Sequence, residues 1–423
     1  MGSTVISIPD EELSLPLPSI KEEKKRQNKL SIIISYLQKN KQKMRKLIHS
    51  FKVGIALVLV SLLYLLDPLY EQVGENAMWA IMTVVVIFEF YAGATLSKGL
   101  NRGLGTILGG GLGCSAATLA QEVTGMGKAS TIIIGSSVFI VGAAGTYVRL
   151  QPSIRKRYDY AAMIFILTFN LVIVSGLRAE EVLELARDRL STIGMGFAVC
   201  IFISLLVSPT WASDELHDSI SSKFHDLAKA IEECLEDYFR LDNKPGRPSS
   251  NSSGCKSVLH SKSKDESLAN FAKWEPWHGK FGLYYPWNKY LQVGEQLRDL
   301  ATIVLSLKAC LQSPRQPSSS VRQSIKEPSK AVGFSFAVTL REIGESVMKM
   351  RRSQEEAMIM PKLKSMRVEL NSIISSSKIG PLQNVDELAI SCFVFLLMEM
   401  VEKVEELAKE VEELGELAEF RTK

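Results

Sequence analysis

The chain is short of the features that mark enzymes and secreted proteins. Its 423 residues include only six cysteines, Cys114, Cys200, Cys234, Cys255, Cys310 and Cys392. None forms a C-x-x-C pair, and none lies near a His at metal-ligand spacing. That excludes a disulfide framework, which needs dense, regularly spaced Cys in a secreted chain, and the six read as reduced, mostly buried thiols. An excess of one charge is also missing: 50 Lys and Arg face 46 Asp and Glu. This balance excludes a strongly basic nucleic-acid binder and a polyacidic tail protein. There is no P-loop. The run GLGTILGGGLG (Gly103–Gly113) has no Lys-Ser/Thr ending and lies in an apolar segment. The five His are scattered, and no nucleophile–base set or metal cluster stands out. The expectation is therefore no enzyme, no cofactor and no confident metal site. No signal peptide is expected from these residues: Met1–Arg45 is largely polar, and its apolar run near Ile32–Leu37 is too short for a signal core.

What the chain does have is segregation. A mean hydropathy of +0.09 beside 23% charged residues requires apolar and charged residues to lie in different stretches. Leu47–Ser208 is mostly apolar, and Trp211–Lys423 reads as a soluble protein. A helix needs about 20 apolar residues to cross a ~30 Å hydrocarbon layer. Six stretches are candidates, several of them short or charged near one end: Leu47–Leu66, Ala77–Thr95, Arg102–Leu119, Ser130–Tyr147, Tyr160–Ser175 and Leu185–Val207. The expected fold is an all-α membrane protein with six transmembrane helices followed by a cytosolic helical domain. Its parts are a basic N-terminal arm (1–46), a six-helix transmembrane domain (47–208) and a cytosolic domain (209–423). Linkers are expected near 243–266 and 313–330, where Ser, Lys and Pro are dense.

Lys and Arg in the short loops give orientation. KEEKKRQNK and KNKQKMRK in the arm, Lys98 and Arg102, and RLQPSIRKRYD alternate with loops poor in basic residues. Both termini are thus expected in the cytosol. Gly99 and Gly103, then Gly105, Gly109 and Gly113, repeat every four residues, a spacing that lets helices approach closely.

Charges at membrane depth are the candidate functional residues. Lys52, Arg102 and Arg189 are cationic, and Glu89 is the one deep acid. A charge at the bilayer centre costs roughly 2.5–3.5 kcal/mol, so such residues face water or a partner. A cationic lining attracts anions. Snorkelling of Lys52, Arg102 and Arg189 to headgroups stays open as the other reading. Arg187 lies about 200° from Arg189 around a helix, so at most one faces a given path. Glu89 is expected to pair with Lys52 or Lys98. Glu71, Glu180, Glu181 and Glu184 fall on the outer side, where clustered carboxylates would suit a hard cation or serve only as solvated loop charges.

In the soluble half, Leu216, Ile220, Phe224, Leu227, Ile231 and Leu235 repeat at three or four residues within Ala212–Leu241, an amphipathic helix. WEPWHGKF reads as a packed aromatic corner with His278 hydrogen-bonded in it. Phe393, Leu397, Met400, Val404, Leu407, Val411 and Leu414 form a heptad seam, open to a buried role or a contact between subunits.

Several long stretches resemble the plant aluminium-activated malate transporter family: Trp79–Thr106, Arg155–Arg178, Ala186–Gly194, Ser208–His217 and Trp274–Tyr290. The resemblance covers about Phe51 to Gln312. It implies a passive, voltage-dependent anion channel for malate and inorganic anions, a dimer in the lipid bilayer with six spans per subunit and a basic pore. By motif position Lys52, Lys98, Arg102 and Arg189 carry over as pore residues, and Arg187 does not. It also ties activation in some members to outward acidic residues, the side where Glu71, Glu180, Glu181 and Glu184 stand. Ser208 departs from the apolar residue many members have there, which puts amine-type inhibition in doubt. Members occur in plasma and vacuolar membranes, and the short C-terminus favours the plasma membrane. A proton-coupled exporter of organic acids is the alternative. It is disfavoured by a single deep carboxylate and the lack of a central Pro in any span.

Overall fold

A computed structural model describes residues 20–66, 77–124, 128–175, 182–239, 253–282, 284–313, 316–317, 319–352, 356–376 and 385–422. The described residues are almost wholly helical. The N-terminal half holds α1 (Ile20–Leu65), α2 (Ala77–Ile87), α3 (Ala92–Thr124), α4 (Lys128–Leu150), α5 (Pro152–Ser175) and α6 (Val182–Leu206). The C-terminal half holds α7 (Ala212–Tyr238), α8 (Ser253–Leu259), α9 (Lys262–Ala272), α10 (Trp287–Leu311), α11 (Ser319–Ser324), α12 (Lys326–Lys349), α13 (Glu356–Ser376) and α14 (Val385–Leu417). Two dipeptide strands, Arg351–Arg352 and Arg421–Thr422, pair in parallel and tie the chain end to the α12 terminus.

Among the described residues four helical stretches are long and apolar enough to cross a membrane: Ala92–Ala120, Thr131–Leu150, Arg157–Ser175 and Arg187–Leu206. The expected second span, Ala77–Thr95, is not one helix. α2 has 11 residues, about 16 Å of rise, and the chain leaves helical geometry at Phe88–Tyr91. Thr95 explains how the break is tolerated. Its hydroxyl accepts from the Glu89 N–H at 2.9 Å and lies 3.2 Å from the Glu89 carbonyl, its acceptor. The Ala92 N–H donates to the Thr210 carbonyl at 3.0 Å, docking the break on the segment after α6. The expected third span therefore starts ten residues early, and Arg102 lies inside α3 rather than at its mouth. The first expected span is the C-terminal part of α1, so no helix end marks residue 46.

Glycine spacing becomes backbone proximity between α3 and α5. A Cβ built at Gly105 would lie 2.5 Å from the Ala161 carbonyl oxygen, one at Gly109 2.5 Å from that of Phe165, and one at Gly113 3.0 Å from Val172. Gly99 meets the Phe197 ring on α6, while Gly103 faces open space. By contrast α4 exposes Ile132, Phe139, Ile140, Tyr147 and Leu150, an apolar face suited to lipid.

The C-terminal half has one continuous hydrophobic core built from α7 to α10 and α12 to α14, with Phe281, Ile325 and Phe420. All six predicted α7 residues, Leu216 to Leu235, are buried. Burial of each such side chain contributes about 1.5–3 kcal/mol relative to exposure. The seven residues of the α14 seam are buried as well, and they pack within the chain, chiefly on α10. Parts of the stretches expected as linkers are helical: Ser253–Leu259, Lys262–Ala272, Ser319–Ser324 and the first turn of α12. Buried Cys255, Val258, Leu268 and Ile325 explain this, because a Ser/Lys-rich composition hides how few apolar anchors a short helix needs.

Candidate anion path

The two halves meet at a joint. Lys52 is 3% exposed, and its ammonium donates to the Ser208 carbonyl at 2.7 Å. Ser208 adopts a left-handed backbone (φ 48°), which turns the chain out of α6 and presents that carbonyl. Lys98 forms an ion pair with Glu89, both partly exposed, so the expected partner of Glu89 is Lys98. Tyr91 stacks on Phe271 at 6.2 Å between centroids, and Gly93 lies against the Phe271 carbonyl.

WEPWHGKF forms the other side of the joint. The Glu275 carboxylate accepts from the Ala212 N–H at 2.5 Å and the Ser213 N–H at 3.2 Å, supplying the N-terminal cap that Trp211 does not. Burial pushes the Glu275 carboxyl up, against the lowering effect of these hydrogen bonds. His278 stacks on Trp211 at 3.7 Å between ring centroids. Its Nδ1–H donates to the Pro276 carbonyl at 2.8 Å, so Nε2 accepts from the Ser213 hydroxyl at 3.0 Å. Trp287 is buried in the corner, whereas Trp277 and Tyr284 project outward.

Above the joint the cations have different company. Arg102 is 6% exposed. Its Nη1 donates to the Tyr160 hydroxyl at 3.3 Å, and its Nε is buried with no partner among the described residues. One turn further along, the Thr106 hydroxyl is likewise buried and unpartnered. Other helical hydroxyls, such as Thr83, Thr146 and Ser137, bond back to the carbonyl four residues earlier. Arg189 is half-buried with its guanidinium 5.1 Å from the Trp79 ring centroid, a cation–π contact, and its Nε also lacks a described partner. At 1.5 Å per residue, Arg102 lies about 15 Å along α3 from the joint. Arg189 lies about 26 Å from the α6 end that returns to the joint. The cations are thus stepped across the thickness of a bilayer.

An apolar cleft of about 410 Å³ opens between α3, α4 and α5. Tyr158 is the most polar residue lining it, so it cannot replace an ion's hydration shell. Arg187 is exposed. Glu71, Glu180 and Glu181 lie outside the described residues, as does the Glu184 side chain. No group of three or more potential metal ligands occurs among the described residues. Tyr160, Trp79, Thr106 and Glu275 were not singled out from the sequence, although all four lie in the family-like stretches.

The geometry is that of a helical membrane protein with isolated cations stepped along its helices. Comparison with known proteins narrows this. The family model "Aluminium activated malate transporter" matches residues 38–384, and the chain belongs to that family, which consists of transporters rather than enzymes. The chain is 39% identical to Aluminum-activated malate transporter 2 of Arabidopsis thaliana over 388 residues, 90% of this chain and 77% of that protein. It is 43% identical to Aluminum-activated malate transporter 13 of the same plant over 345 residues, 79% of this chain. It spans only 63% of that relative's length. Identity to Aluminum-activated malate transporter 1 of Triticum aestivum is 34% over 388 residues, covering 89% and 83% of the two chains.

Proposed function

We propose that the chain forms a passive, voltage-dependent anion channel that carries malate and small inorganic anions across a plant membrane. The carrying observation is that Arg102 is buried and Arg189 half-buried, each with a buried Nε that lacks a partner and with no carboxylate partner among the described residues. A guanidinium in such a setting is stabilised by an anion that comes and goes, and a stepped pair allows successive occupancy. Lys52 and Lys98, held by Ser208 and Glu89, are entry residues at the cytosolic end. A dianion moving through 100 mV gains about 4.6 kcal/mol, enough to drive export without nucleotide hydrolysis.

In this reading residues 47–208 form the transmembrane unit with six crossings. Residues 209–423 form a cytosolic unit, both termini are cytosolic, and the protein works as a homodimer in the plasma membrane. Glu71, Glu180, Glu181 and Glu184 would face outward, where a cation could bias opening. The test is a bilayer recording on purified protein. A reversal potential that follows the malate gradient and ignores the proton gradient supports the channel. One that moves with pH establishes the coupled exporter instead.

A further inference from the structure

α10 and α14 run antiparallel, and their two ends are fastened differently. At one end Lys289, near the α10 start, reaches Glu410 at 2.6 Å and Glu413 at 2.5 Å on the last turns of α14. At the other end Cys310, in the last turn of α10, brings its Sγ to 3.7 Å from the Sγ of Cys392, in the third turn of α14. Cys310 is half-buried and Cys392 is exposed. We propose that Cys310 and Cys392 form a reversible thiol–disulfide site that staples α10 to α14 when a low-molecular-weight disulfide such as oxidised glutathione is present.

The sulfur atoms are already neighbours at 3.7 Å, and an S–S bond of about 2.05 Å requires them to close the remaining gap. The order of events follows from exposure. The Cys392 thiolate attacks oxidised glutathione, forms a mixed disulfide and releases one glutathione thiolate. Cys310 then loses its proton and attacks the Cys392 sulfur, releasing the second glutathione. Two protein thiols are oxidised and one glutathione disulfide is reduced to two thiols. Burial and the neighbouring thiol push Cys310 up to about 11, which keeps it protonated and disfavours it as the first attacker. Cys234 and Cys255 are buried, with thiols pushed up by burial to about 12 and about 11, and take no part. The closed loop encloses α11, α12 and α13, so oxidation restrains the unfolded chain and reduces separation of α14 from α10.

The experiment treats the purified full-length chain in detergent with oxidised glutathione, quenches with acid, alkylates free thiols and maps peptides by mass spectrometry. The expected product is a Cys310–Cys392 linked peptide, lost on adding dithiothreitol, together with a raised melting temperature of the oxidised chain. Cys310→Ser should leave Cys392 as a stable glutathione adduct, and Cys392→Ser should block both products. Wild-type protein that carries glutathione on Cys392 without forming the internal link would overturn the site. So would a link between Cys392 residues of two copies, or a melting temperature unchanged by the internal link.

Discussion

The two halves of the chain treat most of their buried cations differently. In the C-terminal half most are matched to carboxylates; Arg322 is the exception, with a buried Nε that lacks a described partner and its guanidinium 5.0 Å from the Tyr238 ring centroid. Lys223 donates to Asp265 at 2.5 Å, where Ser261 and Arg298 also converge, and Asp265 is fully buried. Lys289 sits between Glu410 and Glu413, Arg341 forks onto Glu232, and Lys403 lies between Asp299 and Glu406. In the membrane half Arg102 and Arg189 have a tyrosine hydroxyl and an indole face, with no carboxylate among the described residues. Paired cations hold helices in place. An unpaired cation in a low-dielectric site destabilises the fold unless something else neutralises it, and a permeating anion is the partner the proposed function supplies.

The comparison breaks most visibly at Asp265. Asp265→Ala leaves Lys223 and Arg298 without a counter-charge, a loss of about 3–5 kcal/mol that thermal unfolding would register as a large fall in melting temperature. Arg102→Leu should behave in reverse. It should leave the melting temperature unchanged or raised while anion flux into liposomes falls roughly 10- to 100-fold, the equivalent of about 1.5–3 kcal/mol of lost charge-assisted hydrogen bonding. A destabilised Arg102→Leu protein would erase the distinction between the halves.

A smaller effect separates charged from neutral partners within the C-terminal core. His217 is buried, donates from Nε2 to the Met348 carbonyl at 3.2 Å and accepts at Nδ1 from the Tyr290 hydroxyl at 2.9 Å. Burial pulls its pKa below 6.5. The unfolded chain therefore takes up a proton near pH 6.5 while the folded imidazole stays neutral. Stability from His217 is complete above that pH and declines as pH falls below it. The melting temperature should drop between pH 7 and pH 5.5 more in the wild type than in His217→Gln. Equal slopes would show that His217 is not held neutral. Smallest of all is Glu89 with Lys98, whose side chains are 37% and 39% exposed. Solvent screening limits the pair to below about 1 kcal/mol, so Glu89→Gln should assemble and melt close to wild type.

These contrasts explain what could be read in the residue order. The α7 and α14 stripes were legible because 3.6-residue periodicity survives in residues such as Phe224 and Leu407, which pack on one face. The α3 glycines were legible as a packing stripe for the same reason. The break at Phe88–Tyr91 was not, because FEFY carries no Gly or Pro and its backbone groups are satisfied from afar, by Thr95 and Thr210. Arg102 and Arg189 stood out as charges among apolar residues. Their lack of carboxylates could not be read, because pairing depends on which helices meet. Glu275 was invisible as a cap because it lies 63 residues from the Ala212 N–H it bonds.

The most direct measurement compares malate flux through wild type and the Arg102→Leu/Arg189→Leu double variant, reconstituted at equal protein content under an imposed membrane potential. The account predicts a folded double variant, melting at or above the wild-type temperature, through which malate flux falls to the background of empty liposomes. Wild-type flux in that variant would contradict it.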